Sequence, residues 1–210
     1  DVEMCSTLYA KNLGKLLAEE KITVEQIDQA VLRVLQLKKK LGLFDAPYRY
    51  ADETKAAEVI LCDKHRELAK KAIEETAVLL KNDGVLPLSK AIKSVAIIGP
   101  YGDTGRVLGW WQCGGLAEET VTVCDGLRNY NADLTVSYAK GCKSGWNNTN
   151  ESYIPEAIEL AKNSEAVVLC LGETEEESGE SNSKTNLDLP EVQYKLLEEV
   201  LAVNKNVVVL

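Results

Sequence analysis

Four short runs of apolar and β-branched residues constrain this chain most: Ser94 to Ile98, Leu134 to Tyr138, Ala166 to Leu171 and Asn206 to Leu210. Continuously apolar strands are those covered on both faces. Helical spacing is expected between them, at Ile154 to Asn163 and at Glu191 to Val203. Short buried strands alternating with helices predict an α/β fold, a mostly parallel sheet with helices on both faces. Such a sheet places its chemistry outside the carboxyl ends of its strands. The loops after Ile98 and after Leu171 are therefore the segments to search.

The stretch before the sheet reads differently. Asp1 to Met4 looks like the end of something already under way. One amphipathic helix is predicted over about Ser6 to Glu20. A second starts from a capping box at Thr23 and Gln26 and stops at Gly42. Alone, these two helices leave apolar faces uncovered, as the last pieces of a larger body would. Asp45-Ala-Pro-Tyr48 opens a polar connector, and a long helix is predicted from Asp63, as cap, to Leu80. The last apolar run stops at Leu210, in what should be a central strand, so the chain reads as a fragment.

Charge and composition narrow the partners. A net charge of −9 argues against a nucleic-acid partner and favours an uncharged, hydrogen-bonding substrate. No apolar run approaches the ~20 residues that span a bilayer. The six cysteines are scattered without a C-x-x-C pair, and His65 is the one histidine, so no metal site is expected. Unpaired cysteines favour a reducing, cytoplasmic setting, with a secreted or periplasmic one open. Gly99, Gly102 and Gly105 have the wrong spacing for a dinucleotide loop, and no phosphate-loop lysine follows. No cofactor is expected.

The loop from Leu171 to Pro190 carries five glutamates. Glu175, Glu176 and Glu177 read as a solvated flap. Glu173, next to the strand, faces the crevice or pairs with a lysine. Glu180 differs, because Gly179 before it permits a tight turn. A general acid must keep its proton near neutral pH, which crowding by like charges and loss of water both favour. In the other loop, Trp110 and Trp111 lie beside glycines. They read as a ring face for stacking a sugar, or as core or interface residues; adjacent side chains point apart, so one of each fits.

Seven segments in order carry a resemblance to a known family. They are Asp1 to Met4 (DVEM), the Ile27 to Phe44 stretch ending LGLF, His65 to Leu88, and Val95 to Pro100 (VAIIGP). LGWW, VTV-x-DG and GETEEESGESNSKTNLDLP follow. Together they resemble glycoside hydrolase family 3, the β-glucosidase and β-xylosidase group. The resemblance implies a (β/α)8 barrel whose C-terminal end is residues 1–44, a linker over 45–62, and an α/β sandwich over 63–210, incomplete at its C-terminus. It implies a retaining enzyme with an Asp nucleophile on the barrel, upstream of Asp1, and an acid/base Glu on the sandwich. That Glu falls on Glu180. Two departures stand out: the usual Arg after Ser is Lys184, and a sugar-clamping Trp of some relatives is Leu116.

The expectation is hydrolysis of terminal β-glucosidic or β-xylosidic bonds, with Glu180 as acid/base and Trp111, Ser183 and Lys184 holding the sugar. The isolated fragment should be inactive, and it should contact the absent part of the barrel. The competing readings are a non-catalytic sugar-binding or structural module and, behind it, a nucleotide-binding α/β domain.

Overall fold

The computed structural model describes every residue from Asp1 to Leu210. Contacts divide the chain into two compact units, Asp1–Val78 and Leu79–Leu210.

The first unit is helical: α1 Leu8–Ala18, α2 Val24–Lys40, α3 Glu53–Val59 and α4 Asp63–Thr76. The capping box is as the spacing predicts. Gln26 N–H donates to Thr23 Oγ1 at 3.2 Å and Thr23 N–H to Gln26 Oε1 at 2.8 Å. Lys38, Lys39 and Lys40 complement the dipole at the other end. None of the four helices buries a residue, and Leu8, Val31 and Leu35 stand exposed.

Two details differ from the sequence reading. The connector contains α3, capped by Asp52, which accepts from Lys55 N–H at 3.1 Å. Helix α4 has Cys62, not Asp63, at its cap and ends at Thr76 instead of Leu80, because Ala77 is already extended at φ −65° and ψ 124°. The unbroken apolar run Ala77 to Leu80 offers no single stripe for a helix to bury. Contacts place α4 in the first unit.

The second unit holds a parallel sheet of β1 Ser94–Ile98, β2 Thr135–Ala139, β3 Ala166–Leu169 and β4 Val207–Val209, in the order β2-β1-β3-β4. Helices α5 Val123–Tyr130, α6 Ile154–Lys162 and α7 Glu191–Val203 connect them. Side chains alternate between the faces, as a period of two requires. Ala96, Ile98, Val167 and Leu169 pack on Ala157 and Ala161 of α6 and Leu196 and Val200 of α7. Val95, Ile97, Ala166 and Val168 pack on the opposite side, with Cys124 and Leu127 of α5. Both faces are covered, which makes this an α/β sandwich of the expected kind.

Helix α5 escapes the sequence reading, being 8 residues long with Gly126 inside it. Its cap is legible: Thr122 Oγ1 accepts from Asp125 N–H at 3.0 Å.

Adjacent strands β1 and β3 send their chains in opposite directions, β1 toward β2 and β3 toward β4. That divergence is the switch point at which open α/β sheets hold ligands.

Candidate active site at the switch point

Gly99 ends β1 at φ 120°, where a Cβ would lie 2.2 Å from the Cys170 carbonyl oxygen. Only glycine permits that approach. Cys170 N–H donates to Ile98 O at 2.7 Å, and the Tyr138 hydroxyl donates to Gly99 O at 3.3 Å. The two loops therefore leave the sheet from one rigid seam.

A cavity of about 450 Å³ opens there, lined by Tyr101, Asp103, Arg106, Lys140, Ser144 and Glu175 among others. Burial pushes the Tyr101 phenol up to about 12, and the charges of Glu177 and Glu175 push the same way. Burial and the charge of Asp103 raise Tyr138 to about 12. Both phenols stay protonated at neutral pH.

Glu175 and Glu177 are held in place, which corrects their reading as a flap, while Glu176 is exposed as that reading has it. Glu175–Glu177 forms a single 3₁₀ turn, with Thr174 N–H donating to Glu177 Oε2 at 2.6 Å. Arg106 reaches across from the other loop to Glu175 at 2.6 Å. Glu173 pairs with Lys184, the second of the two options the sequence leaves open. The same ammonium donates to Asp188 O at 2.6 Å and lies 4.7 Å from the Trp146 ring centroid. Three of the five glutamates are thus tied down, and Glu176 and Glu180 remain without a partner.

Glu180 stands on a turn between two left-handed residues, Gly179 at φ 93° and Ser181 at φ 67°. Gly179 lies flat on Trp110, whose Cβ would be 2.8 Å from a Cβ at that position. Trp110 meets Trp111 edge to face, with centroids 4.9 Å apart and planes at 70°. Trp111 is the more open of the two, 64% exposed against 45%. The structure therefore seats the residue before Glu180 against Trp110. Ser183 is exposed on the same loop, and Lys184 is turned inward onto Glu173.

Sequence reasoning missed Arg106 and Gln193. Gln193, fully buried, accepts from Gly172 N–H at 2.9 Å and donates to Gly172 O at 2.7 Å. Its signal is a polar residue beside Val192 on the buried side of α7; Arg106 has no local signal.

A parallel sheet covered on both faces, with a polar cleft at its switch point, defines the class of open α/β domains, and Glu180, Trp110 and Trp111 are not among the residues that line that cleft. Comparison with known proteins sharpens that class. The glycosyl hydrolase family 3 C-terminal domain matches residues 77–210. The chain belongs to glycosyl hydrolase family 3. It is 37% identical to a beta-xylosidase of Formosa agariphila, over 97% of this chain and 29% of that protein. It is 31% identical to a periplasmic beta-glucosidase of Salmonella typhimurium, over 99% of this chain and 30% of that one. Among solved structures, the Listeria innocua beta-glucosidase in complex with glucose superposes with a TM-score of 0.83 at 37% identity, covering 99% of this chain and 28% of that one. The same enzyme in complex with isofagomine gives 0.86 at 34% identity, with the same coverage of both chains. The chain thus spans under a third of the length of these relatives. No helix is long and apolar enough to cross a membrane.

Proposed function

We propose that this chain is the acid/base half of a retaining β-glycosidase acting on terminal β-glucosides or β-xylosides. Residues 1–44 would close a (β/α)8 barrel, 45–62 would link, and 63–210 would form the sandwich, led by α4. The observation that carries the reading is the unpaired, exposed Glu180, presented by its turn beside Trp110 and Trp111. Support comes from relatives whose names are beta-glucosidase and beta-xylosidase.

In this mechanism Glu180 protonates the departing glycosidic oxygen while an upstream Asp attacks the sugar. It then takes the proton of the water that releases the glycosyl-enzyme. The free face of Trp111 stacks the sugar ring, and Ser183 offers a hydroxyl. Lys184 has one of its three N–H donors left for a sugar, since Glu173 and Asp188 O engage the other two. Six free cysteines support the cytoplasmic setting as the proposed one.

The test uses the longer polypeptide that contains these residues. In kcat/KM, which reports the glycosylation step, Glu180→Gln should cost roughly 100- to 10,000-fold on a phenyl β-glycoside and far less on a dinitrophenyl one, whose leaving group needs no proton. Equal losses on the two substrates would sink the assignment.

A further inference from the structure

We propose that Trp110 is a positioning residue, whose indole fixes the direction in which the Gly179–Ser181 turn presents Glu180. The inference rests on the acid/base reading of Glu180 and goes beyond it, to what holds that group in place.

The turn has little to hold it from within. Its own hydrogen bonds are Asn182 N–H to Gly179 O at 3.3 Å and Asn182 Nδ2 to Ser178 O at 2.8 Å. Ser181, a non-glycine residue at φ 67°, adds strain that its surroundings must offset. On one side the chain is anchored at Glu175 by Arg106. On the other it is anchored at Lys184 by Glu173 and Asp188 O. Between those anchors, Gly179 on Trp110 is the contact that reaches another loop.

The closeness of that contact is what gives it leverage. A Cβ at Gly179 would lie 2.8 Å from Trp110 Cβ and 2.9 Å from Cγ, so the turn's backbone rests on the root of the indole with no side chain between. Trp110 is itself braced edge to face by Trp111. Stacking a sugar and seating the turn are therefore divided between neighbours: Trp111 offers the open face, and Trp110 is engaged by the turn.

A merely structural tryptophan would lower activity evenly, whereas a misdirected acid fails selectively. In the longer polypeptide, Trp110→Ala should lower kcat/KM for a phenyl β-glycoside by about 10-fold or more, since small misplacements of a catalytic group are costly. For the dinitrophenyl substrate the loss should stay within about threefold, because that oxygen departs unaided. Trp110→Phe keeps a ring under Gly179 and should recover most of the loss. Gly179→Ala, which leaves both tryptophans in the sequence but presses a methyl onto the root of the Trp110 indole and so lifts the turn, should repeat the selective loss. Circular dichroism confirms that each variant is folded before rates are compared. Equal losses on both substrates in Trp110→Ala and Gly179→Ala, or no loss in either, would overturn the role of Trp110. If Glu180→Gln itself shows equal losses, the acid/base reading fails, and this inference with it.

Discussion

Gln193 faces Gly172 with both ends of its side-chain amide, accepting from its N–H at 2.9 Å and donating to its C=O at 2.7 Å. The pair does for the first residues of the acidic loop what another strand would do for a sheet edge. Gly172 begins the departure from β3 toward Glu180, so the buried amide decides where that departure starts. Gln193→Leu keeps the volume and removes both partners, leaving a buried donor and acceptor unpaired. The expected cost is roughly 2–5 kcal/mol, read from urea unfolding. A change within about 0.5 kcal/mol would show that solvent satisfies Gly172 instead.

Glycines in this unit are not equivalent, and two substitutions of opposite sign show it. Gly99→Ala places a methyl on the Cys170 carbonyl at a φ of 120°. It should cost more than the ~1–3 kcal/mol of backbone strain alone, because β1 and β3 must also part. Gly126 lies inside α5, and a methyl added there would meet nothing within 4 Å. Gly126→Ala should stabilise by about 0.5–1 kcal/mol. Thermal melts of the two variants should move in opposite directions.

The limits of sequence reading follow from where each signal resides. The spans of β1 and α7 are read as they stand, because strands buried on two faces and a helix after Pro190 leave unbroken local patterns. Helix α5 is lost because eight residues around Gly126 are too few to establish a period. Glu175 is misread because Arg106, which ties it down, comes from 69 residues away. Composition treats the five glutamates alike. Only the order of the surrounding motifs singles out Glu180, and only the fold reveals that it is left unpaired on a turn whose Gly179 rests on Trp110.

Lys184 tests whether the far half of the loop is ordered by its own contacts. Its ammonium ties Glu173 to Asp188 O across the face of Trp146. Lys184→Met preserves the stem and removes the charge. Global stability should change by about 1 kcal/mol or less, since both side chains keep some contact with water. Local order should change more. In a background where Trp110 and Trp111 are phenylalanine, Trp146 is the remaining tryptophan, and its emission should become more quenchable by acrylamide. Unchanged quenching would mean that the loop holds its shape without the lysine.

The buried thiols set an alkaline limit on stability. Burial pushes Cys142 and Cys170 up to about 11 and Cys124 up to about 12, from an ordinary value of 9.0. The folded state therefore holds these protons more tightly than the unfolded chain does. The stabilisation is fully present below pH 9.0 and is lost as pH rises from there toward about 11 and 12. Each thiol contributes a slope of up to about 1.4 kcal/mol per pH unit in that window. Tyr101 and Tyr138 extend the decline, from 10.0 toward about 12. Urea midpoints should be level from about pH 7 to 8 and fall steeply above about pH 9.5. A thiol reagent provides an independent check at neutral pH. Exposed Cys5 and Cys113 should react at once, and Cys124, Cys142 and Cys170 only at the rate of unfolding. Fast labelling of all six would mean that the sheet opens far more often than its packing predicts.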